Sequence, residues 1–170
     1  APSCVICPAV PSTSTSTTAA ASVGMPAWVK ASAAWIMPWS IISIAAGTTS
    51  RAYEEFFPAA RVDGVEIDGE LSEIGRRYFD MNNPNLHLYH EDARPFLRRI
   101  EADYDVISVD AYRQPYIPFY LATREFFQEV RGRLLDDGVV VINVGRTPDD
   151  RRLIDGMVGT LRSVYPSVHV

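Results

Sequence analysis

The stretch RVDGVEID, residues 61–68, decides the fold expected for this chain. An apolar run ends on the carboxylate of Glu66, and Asp68 is placed to cap a helix that follows at once. Such a pair is typical of one βα unit of a parallel sheet, so residues 61–67 are predicted to form a strand. The apolar side chains on one face of the helix are predicted to be buried: Leu71, Ile74 and Tyr78.

The same pattern recurs on both sides of this unit. Toward the N-terminus, residues 39–45 predict a buried strand, and Thr48 or Thr49 can cap the next helix. Toward the C-terminus, further strands are predicted at residues 85–89, 104–109, 139–144 and 167–170. Strands that alternate with helices predict an α/β fold, a doubly wound and mostly parallel Rossmann-like sheet with helices on both faces. The last strand is cut short, so we expect a sheet that is truncated at the C-terminal end.

Charge divides the chain near residue 50. Lys30 is the only charged residue before Arg51, whereas all 21 acidic residues follow it. The early part is also rich in Ser, Thr and Ala, a composition typical of disorder. We therefore expect residues 1–38 to be a low-complexity or disordered segment and residues 39–170 to form one Rossmann-like domain.

The uncharged N-terminal part leaves other interpretations open. The apolar run at residues 31–46 resembles a membrane segment, but it is shorter than the ~20 residues that a span needs, and Pro38 interrupts it. No basic region precedes it, as a signal peptide requires, so a cytoplasmic protein is expected. Alternatively, residues 1–46 are not native coding sequence but the product of an upstream frame error.

Net charge and cysteine spacing argue against two kinds of partner. The formal net charge is -5 and the pI is about 5.2, whereas a nucleic-acid partner requires a basic surface. Cys4 and Cys7 have C-x-x-C spacing, but no second ligand pair or neighbouring His completes a metal site. We expect neither a nucleic-acid partner nor a metal.

Four positions at the carboxyl ends of predicted strands form the candidate site. Ligands of parallel α/β sheets bind beyond these ends, near the switch point beside the first strand. The positions are the loop that contains Gly47 and the carboxylates of Glu66, Asp92 and Asp110. Three acidic strand ends in successive βα units converge on one crevice, which predicts a ligand site there.

Each position suits part of a nucleoside. Glu66 can accept hydrogen bonds from both hydroxyls of a ribose, or it can cap a helix, as Asp68 can. Asp92 can accept a hydrogen bond from an adenine amino group or cap the helix beginning near Arg94, and the sequence favours neither role. Gly47 lets the backbone approach a nucleoside, but no G-x-G-x-x-G fingerprint is present, which disfavours a phosphate-binding dinucleotide site.

The segment that begins at Asp110 is irregular. Residues 110–118 contain two prolines, two tyrosines and an arginine, a composition that suits neither a helix nor a strand. Two interpretations remain for this segment, a lid or substrate gate over the site and a plain surface connection.

Ordered motifs along the chain resemble those of the spermidine synthases and their bacterial relatives. The motifs are AGTTSRAY at residues 46–53, VDGVEID at 62–68, the acidic-Ala motif EDARPFL at 91–97 and the catalytic strand YDVISVD at 104–110. Residues 110–127 look most like the spermidine-synthase-like branch that is sometimes attached to membrane transport segments. The resemblance covers about residues 46–170.

The resemblance implies a transferase of polyamine biosynthesis on the fold of S-adenosylmethionine-dependent methyltransferases. Such an enzyme moves an aminopropyl group from decarboxylated S-adenosylmethionine to an amine acceptor such as putrescine. In this chain Glu66 would hold the ribose, Asp92 with Ala93 the adenine, and Asp110 would take a proton from the attacking amine. Gly47 would belong to the nucleoside loop. A homodimer, and attachment to membrane segments in a longer parent chain, are further expectations.

Departures from the family pattern leave two alternative functions open. Arg113 stands near the place of a second aspartate that gathers the polyamine, and a cation there would repel a diamine. The same guanidinium could pair with the carboxylate of S-adenosylmethionine itself, as in a methyltransferase. The single glycine of the first loop instead suits a non-catalytic remnant of the fold.

Overall fold

The computed structural model describes residues 3–9, 39–44, 47–111, 117–145 and 149–170. The strands described form one sheet: β1 Ser3–Ala9, β2 Trp39–Ser43, β3 Arg61–Val65, β4 Leu86–Tyr89, β5 Tyr104–Val109, β6 Leu134–Gly145 and β7 Ser167–His169. The α-helices described are α1 Thr48–Phe56, α2 Gly69–Tyr78, α3 Ala93–Arg99, α4 Arg124–Arg131 and α5 Arg152–Arg162. A 3-10 helix spans Phe119–Leu121.

The sheet is parallel throughout, in the order β4-β3-β2-β5-β6-β1-β7. From β2 the chain runs outward through β3 to β4, then returns to β5 beside β2 and continues to β6. Because parallel crossovers are right-handed, this reversal places α1 and α2 on one face and α3 to α5 on the other. The predicted doubly wound α/β fold is confirmed, with its switch point between β2 and β5.

The N-terminal strand differs from the sequence prediction. Ser3–Ala9 lies in the segment predicted to be low-complexity or disordered, but it forms β1 and pairs in parallel with both β6 and β7. Its partners come from the opposite end of the chain, so no local pattern indicates the pairing. Residues 10–38 lie outside the described residues, and the domain boundary after residue 38 stays a prediction.

The buried face of α2 also differs from the prediction. Its buried residues are Ser72 and Gly75, whereas Ile74 and Tyr78 are 43% and 65% exposed. The predicted burial of Ile74 and Tyr78 is therefore wrong, and small residues form the buried face of the helix. Small residues allow a helix to pack closely against its neighbours.

The main core lies between the sheet and helices α3 to α5. Its fully buried side chains include Phe96 of α3, Phe126 and Phe127 of α4, and Leu161 of α5. Thr123 caps α4 as predicted, since its hydroxyl accepts a hydrogen bond from the backbone N–H of Phe126 at 3.2 Å.

One buried acidic residue, Asp63, has a structural role and does not belong to the candidate site at the carboxyl edge of the sheet. The carboxylate of Asp63, fully buried in β3, accepts hydrogen bonds from Arg61 at 2.8 Å and from the hydroxyl of Tyr104 at 3.0 Å. Burial and the neighbouring carboxylate raise the pKa of Tyr104, so its hydroxyl stays a donor. Asp63 is therefore a satisfied structural carboxylate.

Candidate functional site

The carboxyl ends of the central strands bring the predicted site residues to one edge of the sheet. Gly47 follows β2, Glu66 follows β3, Asp92 follows β4 and Asp110 follows β5. These strands are neighbours in the order β4-β3-β2-β5, and the switch point lies between β2 and β5. The structure therefore confirms that the four positions share one edge.

Gly47 has a backbone conformation that other residues rarely adopt. Its φ is +81°, and its N–H donates to the carbonyl of Ile44 at 2.8 Å. It is the N-cap of α1, and no side chain caps that helix, so the predicted cap by Thr48 or Thr49 is wrong. A Cβ on Gly47 would lie 2.4 Å from Cγ of the buried Met81. Conformation and space both require glycine here.

A loop after α2, residues 79–83, supports this first turn of α1. The buried hydroxyl of Ser50 lies 2.8 Å from the Gly47 carbonyl and 3.0 Å from Oδ1 of Asn83. The amide of Asn83 donates to Glu54, and the guanidinium of Arg51 donates to the carbonyl of Phe79. Sequence reasoning missed this support, because its partners lie about thirty positions apart and neither segment carries a recognisable motif.

Of the two roles that the sequence left open for Glu66, helix capping belongs to Asp68, and Glu66 retains an oxygen that can accept from a ligand. Asp68 is the N-cap of α2, where Oδ1 accepts from the N–H of Glu70 at 2.9 Å. Glu66 is half-buried, and its Oε1 accepts from the N–H of Asp68 at 3.1 Å. Within the described part of the chain, its other carboxylate oxygen has no hydrogen-bond partner and can accept from a ligand.

Asp92 acts as a helix cap. Its Oδ1 accepts from the N–H of Arg94 at 2.9 Å at the start of α3, and its Oδ2 accepts from the hydroxyl of Tyr120 at 2.9 Å. The capping role is therefore present, while a role toward adenine stays a prediction. Ala93 is the first residue of α3 and packs half-buried against the core.

Asp110 is exposed at the end of β5 and is held by a residue of the neighbouring strand. Its Oδ1 accepts from Nδ2 of Asn143 at 3.0 Å. The two residues directly follow Val109 and Ile142, which are register partners in β5 and β6. Sequence reasoning missed Asn143, although a lone amide within the apolar run VVVINV was a usable signal.

The segment between Asp110 and the 3-10 helix lies mostly outside the described residues. Residues 112–116 are among those not described, so the position predicted for Arg113 and the proposed gate are untested. The described part resumes at Ile117 and continues into the 3-10 helix, in which Phe119 is 83% exposed.

An ion-pair cluster fastens the 3-10 helix to α3 and α4. The carboxylate of Glu129 accepts from Arg94 at 2.9 and 3.0 Å and from Arg98 at 2.8 and 3.2 Å. These hydrogen bonds, from Arg94 first, lower the pKa of Glu129 to about 2. Arg94 also donates through Nη1 to the carbonyl of Tyr120 at 2.9 Å.

The described residues contain no candidate metal cluster and no candidate membrane span. No group of three or more His, Cys, Asp or Glu side chains there is arranged to hold a metal ion. None of the helices described is both long and apolar enough to cross a bilayer.

Comparison with known proteins identifies similar sequences. Residues 52–170 match the model of the spermine/spermidine synthase domain. The chain is 36% identical over 129 residues to a polyamine aminopropyltransferase of Vibrio vulnificus, covering 74% of this chain and 42% of that protein. The chain thus spans less than half the length of the curated relatives that it matches.

Solved structures agree in fold. A probable spermidine synthase from Corynebacterium glutamicum superposes with a TM-score of 0.70 and 25% identity, covering 81% of this chain and 51% of that one. A spermidine synthase in complex with the transition-state analogue AdoDATO superposes with a TM-score of 0.67 and 22% identity, covering 76% and 47%.

Proposed function

Because this chain belongs to the spermine/spermidine synthase family, we propose that it transfers an aminopropyl group from decarboxylated S-adenosylmethionine to a small-molecule amine. The observation that carries this proposal is the set of carboxylates at the carboxyl edge of the sheet. Glu66, Asp92 and Asp110 follow three successive strands on one side of the sheet, and a described donor holds each of their carboxylates.

The donor's nucleoside is proposed to bind across the loops after β2, β3 and β4. Glu66 has a carboxylate oxygen available for the ribose hydroxyls, and Asp92 is proposed to accept from the adenine amino group beside Ala93. Gly47 is proposed to belong to the nucleoside loop, where its positive φ shapes the turn between β2 and α1.

Asp110 is proposed to receive the proton of the acceptor. A neutral amine nitrogen attacks the methylene carbon next to the sulfonium, a C–N bond forms, the C–S bond breaks, and methylthioadenosine leaves with the electron pair on sulfur. The nitrogen then carries a proton that it must lose. The Asp110 carboxylate is exposed, and Asn143 engages only Oδ1, so Oδ2 is available to orient the amine and accept that proton.

The amine acceptor is proposed to approach from the segment that follows Asp110. Whether a diamine such as putrescine is accepted depends on Arg113, which lies outside the described residues.

A cytoplasmic homodimer, or attachment to membrane segments within a longer parent protein, is part of this proposal. Light scattering of the purified protein tests the dimer.

Binding and turnover test the function. Titration calorimetry of the purified protein should show binding of methylthioadenosine and decarboxylated S-adenosylmethionine. Mass spectrometry should then detect methylthioadenosine release only when an amine is present. Tight binding of S-adenosylmethionine with methyl transfer would support a methyltransferase instead. No binding of any adenosyl ligand would support a non-catalytic remnant.

A further inference from the structure

Tyr120 is held at both ends by the first turn of α3. Its hydroxyl donates to Oδ2 of Asp92 at 2.9 Å, and its carbonyl accepts from Nη1 of Arg94 at 2.9 Å. The side chain is half-buried and lies in the 3-10 helix Phe119–Leu121. Two residues of one helical turn thus fix both the backbone and the side chain of this tyrosine.

The partners of Tyr120 are themselves fixed. Arg94 forms two hydrogen bonds with Glu129, and their side chains are only 17% and 24% exposed. Among the described contacts, the Arg94 guanidinium donates to Glu129 and to the Tyr120 carbonyl, and it makes no hydrogen bond to Asp92. In the described part of the chain, the hydrogen-bond partners of Asp92 are both neutral, one main-chain N–H and one phenol hydroxyl.

This arrangement defines the orientation of one carboxylate. The helix cap holds Oδ1 and the tyrosine holds Oδ2, so both side-chain torsions of Asp92 are restrained. A carboxylate has about four acceptor positions, and two are used here. The remaining positions can accept from the amino group of a ligand, and the charge of the carboxylate strengthens such a hydrogen bond.

We propose that Tyr120 is a positioning residue that orients Asp92 for the 6-amino group of a purine. This inference rests on the proposed function, because it assumes that a nucleoside binds at this edge. Tyr120 does not itself contact the ligand, and its effect is confined to the part of the affinity that the amino group supplies.

The test compares two ligands that differ only in this group. They are 5′-methylthioadenosine and its analogue with an unsubstituted purine, which lacks the 6-amino group. The parent protein should prefer methylthioadenosine. Tyr120→Phe should reduce this preference by about 3- to 10-fold, the effect of one hydrogen bond of ordinary strength, while leaving affinity for the analogue unchanged. Calorimetry gives both dissociation constants.

A matched control removes a tyrosine hydroxyl elsewhere. The hydroxyl of Tyr165 donates to the carbonyl of Phe127 at 3.1 Å in the buried core. Tyr165→Phe should lower stability but keep the parent's ligand preference. If Tyr120→Phe fails to fold, Tyr120→Leu replaces it, since this smaller side chain also lacks the hydroxyl and leaves the backbone bond to Arg94 in place.

A double-mutant cycle separates positioning from general structure. Asn caps helices as well as Asp does, so Asp92→Asn should fold and should lose the preference for methylthioadenosine. In that background Tyr120→Phe should have no further effect on the ligand ratio. If Tyr120→Phe leaves the ratio of the two dissociation constants unchanged, whether or not both ligands bind more weakly, the inference is overturned. A parent that binds neither ligand would instead overturn the proposed function.

Discussion

Met81 occupies the space that a side chain on Gly47 would need. An ideal Cβ on Gly47 would lie 2.4 Å from Cγ and 2.7 Å from Sδ of Met81, which is 1% exposed. The two residues are separated in sequence by α1, β3 and α2. The loop at residues 79–83 therefore packs against the turn between β2 and α1.

This relationship predicts that Gly47→Ala lowers the free energy of unfolding. Strain at positive φ costs about 1–2 kcal/mol, and overpacking against Met81 adds about 1–3 kcal/mol. Urea unfolding should show a total loss of about 2–5 kcal/mol. The control is Gly156→Ala in α5, where a Cβ meets nothing within 4 Å. It should be neutral or stabilising by up to about 1 kcal/mol. Equal effects of the two variants would contradict the prediction.

Asp110→Asn should abolish group transfer while leaving affinity for methylthioadenosine within a few fold. The residue is proposed to act on the amine, and it lies beyond β5, away from the positions proposed for ribose and adenine. Product release measured by mass spectrometry, together with calorimetry, separates the two effects. Turnover close to that of the parent would show that Asp110 is not the base.

Asn143→Ala should lower kcat by about 3- to 10-fold with little change in donor affinity. The variant removes the amide that holds Oδ1 of Asp110 at 3.0 Å, so the carboxylate samples more orientations. Asn143→Gln retains an amide and should recover part of the rate. A large rise in the donor KM with an unchanged kcat would place Asn143 at the nucleoside instead.

Glu66→Gln should weaken the binding of adenosyl ligands by about 1.5–3 kcal/mol, the usual range for a lost hydrogen bond to a charged group. The ribose makes the test specific. The 2′-deoxy analogue of methylthioadenosine should bind the variant and the parent with more similar affinities than methylthioadenosine does. If ribose and deoxyribose ligands lose affinity equally, the proposed role of Glu66 is wrong.

Glu129 should make stability depend on pH in acid. Hydrogen bonds from Arg94 and Arg98 lower its pKa from 4.5 to about 2. Because the folded pKa lies below the unfolded one, the carboxylate stabilises the fold above about pH 4.5, and this contribution is lost as the pH falls toward 2.

Glu129→Gln should therefore cost about 1–2 kcal/mol at pH 7 and progressively less below pH 4.5. Thermal unfolding of parent and variant across this range measures the difference. Glu73→Gln serves as the comparison, because Glu73 pairs with Arg76 in an exposed bridge and should contribute under about 0.5 kcal/mol. A pH-independent difference for Glu129→Gln would refute the assignment.

The shared edge of the candidate site could be predicted from local sequence. Apolar runs that end on Glu66 and Asp110 specify strands, and parallel strands place their carboxyl ends together whatever the details of packing. The caps at Asp68 and Thr123 were predictable for a similar reason, since a capping side chain bonds to a backbone group two or three residues away. The alternation of elements also specified the doubly wound sheet.

Contacts between distant segments could not be predicted in this way. The buried face of α2 consists of Ser72 and Gly75 and not of its large apolar residues, and β1 depends on partners from β6 and β7 at the other end of the chain. From β2 onward, the sequence alone determined the order of strands and helices and which carboxylates follow the strands, because both depend on near neighbours. The tertiary structure decided that Met81 supports Gly47, that Asn143 holds Asp110 and that Tyr120 holds Asp92, because each contact requires the packing of elements that are remote in the chain.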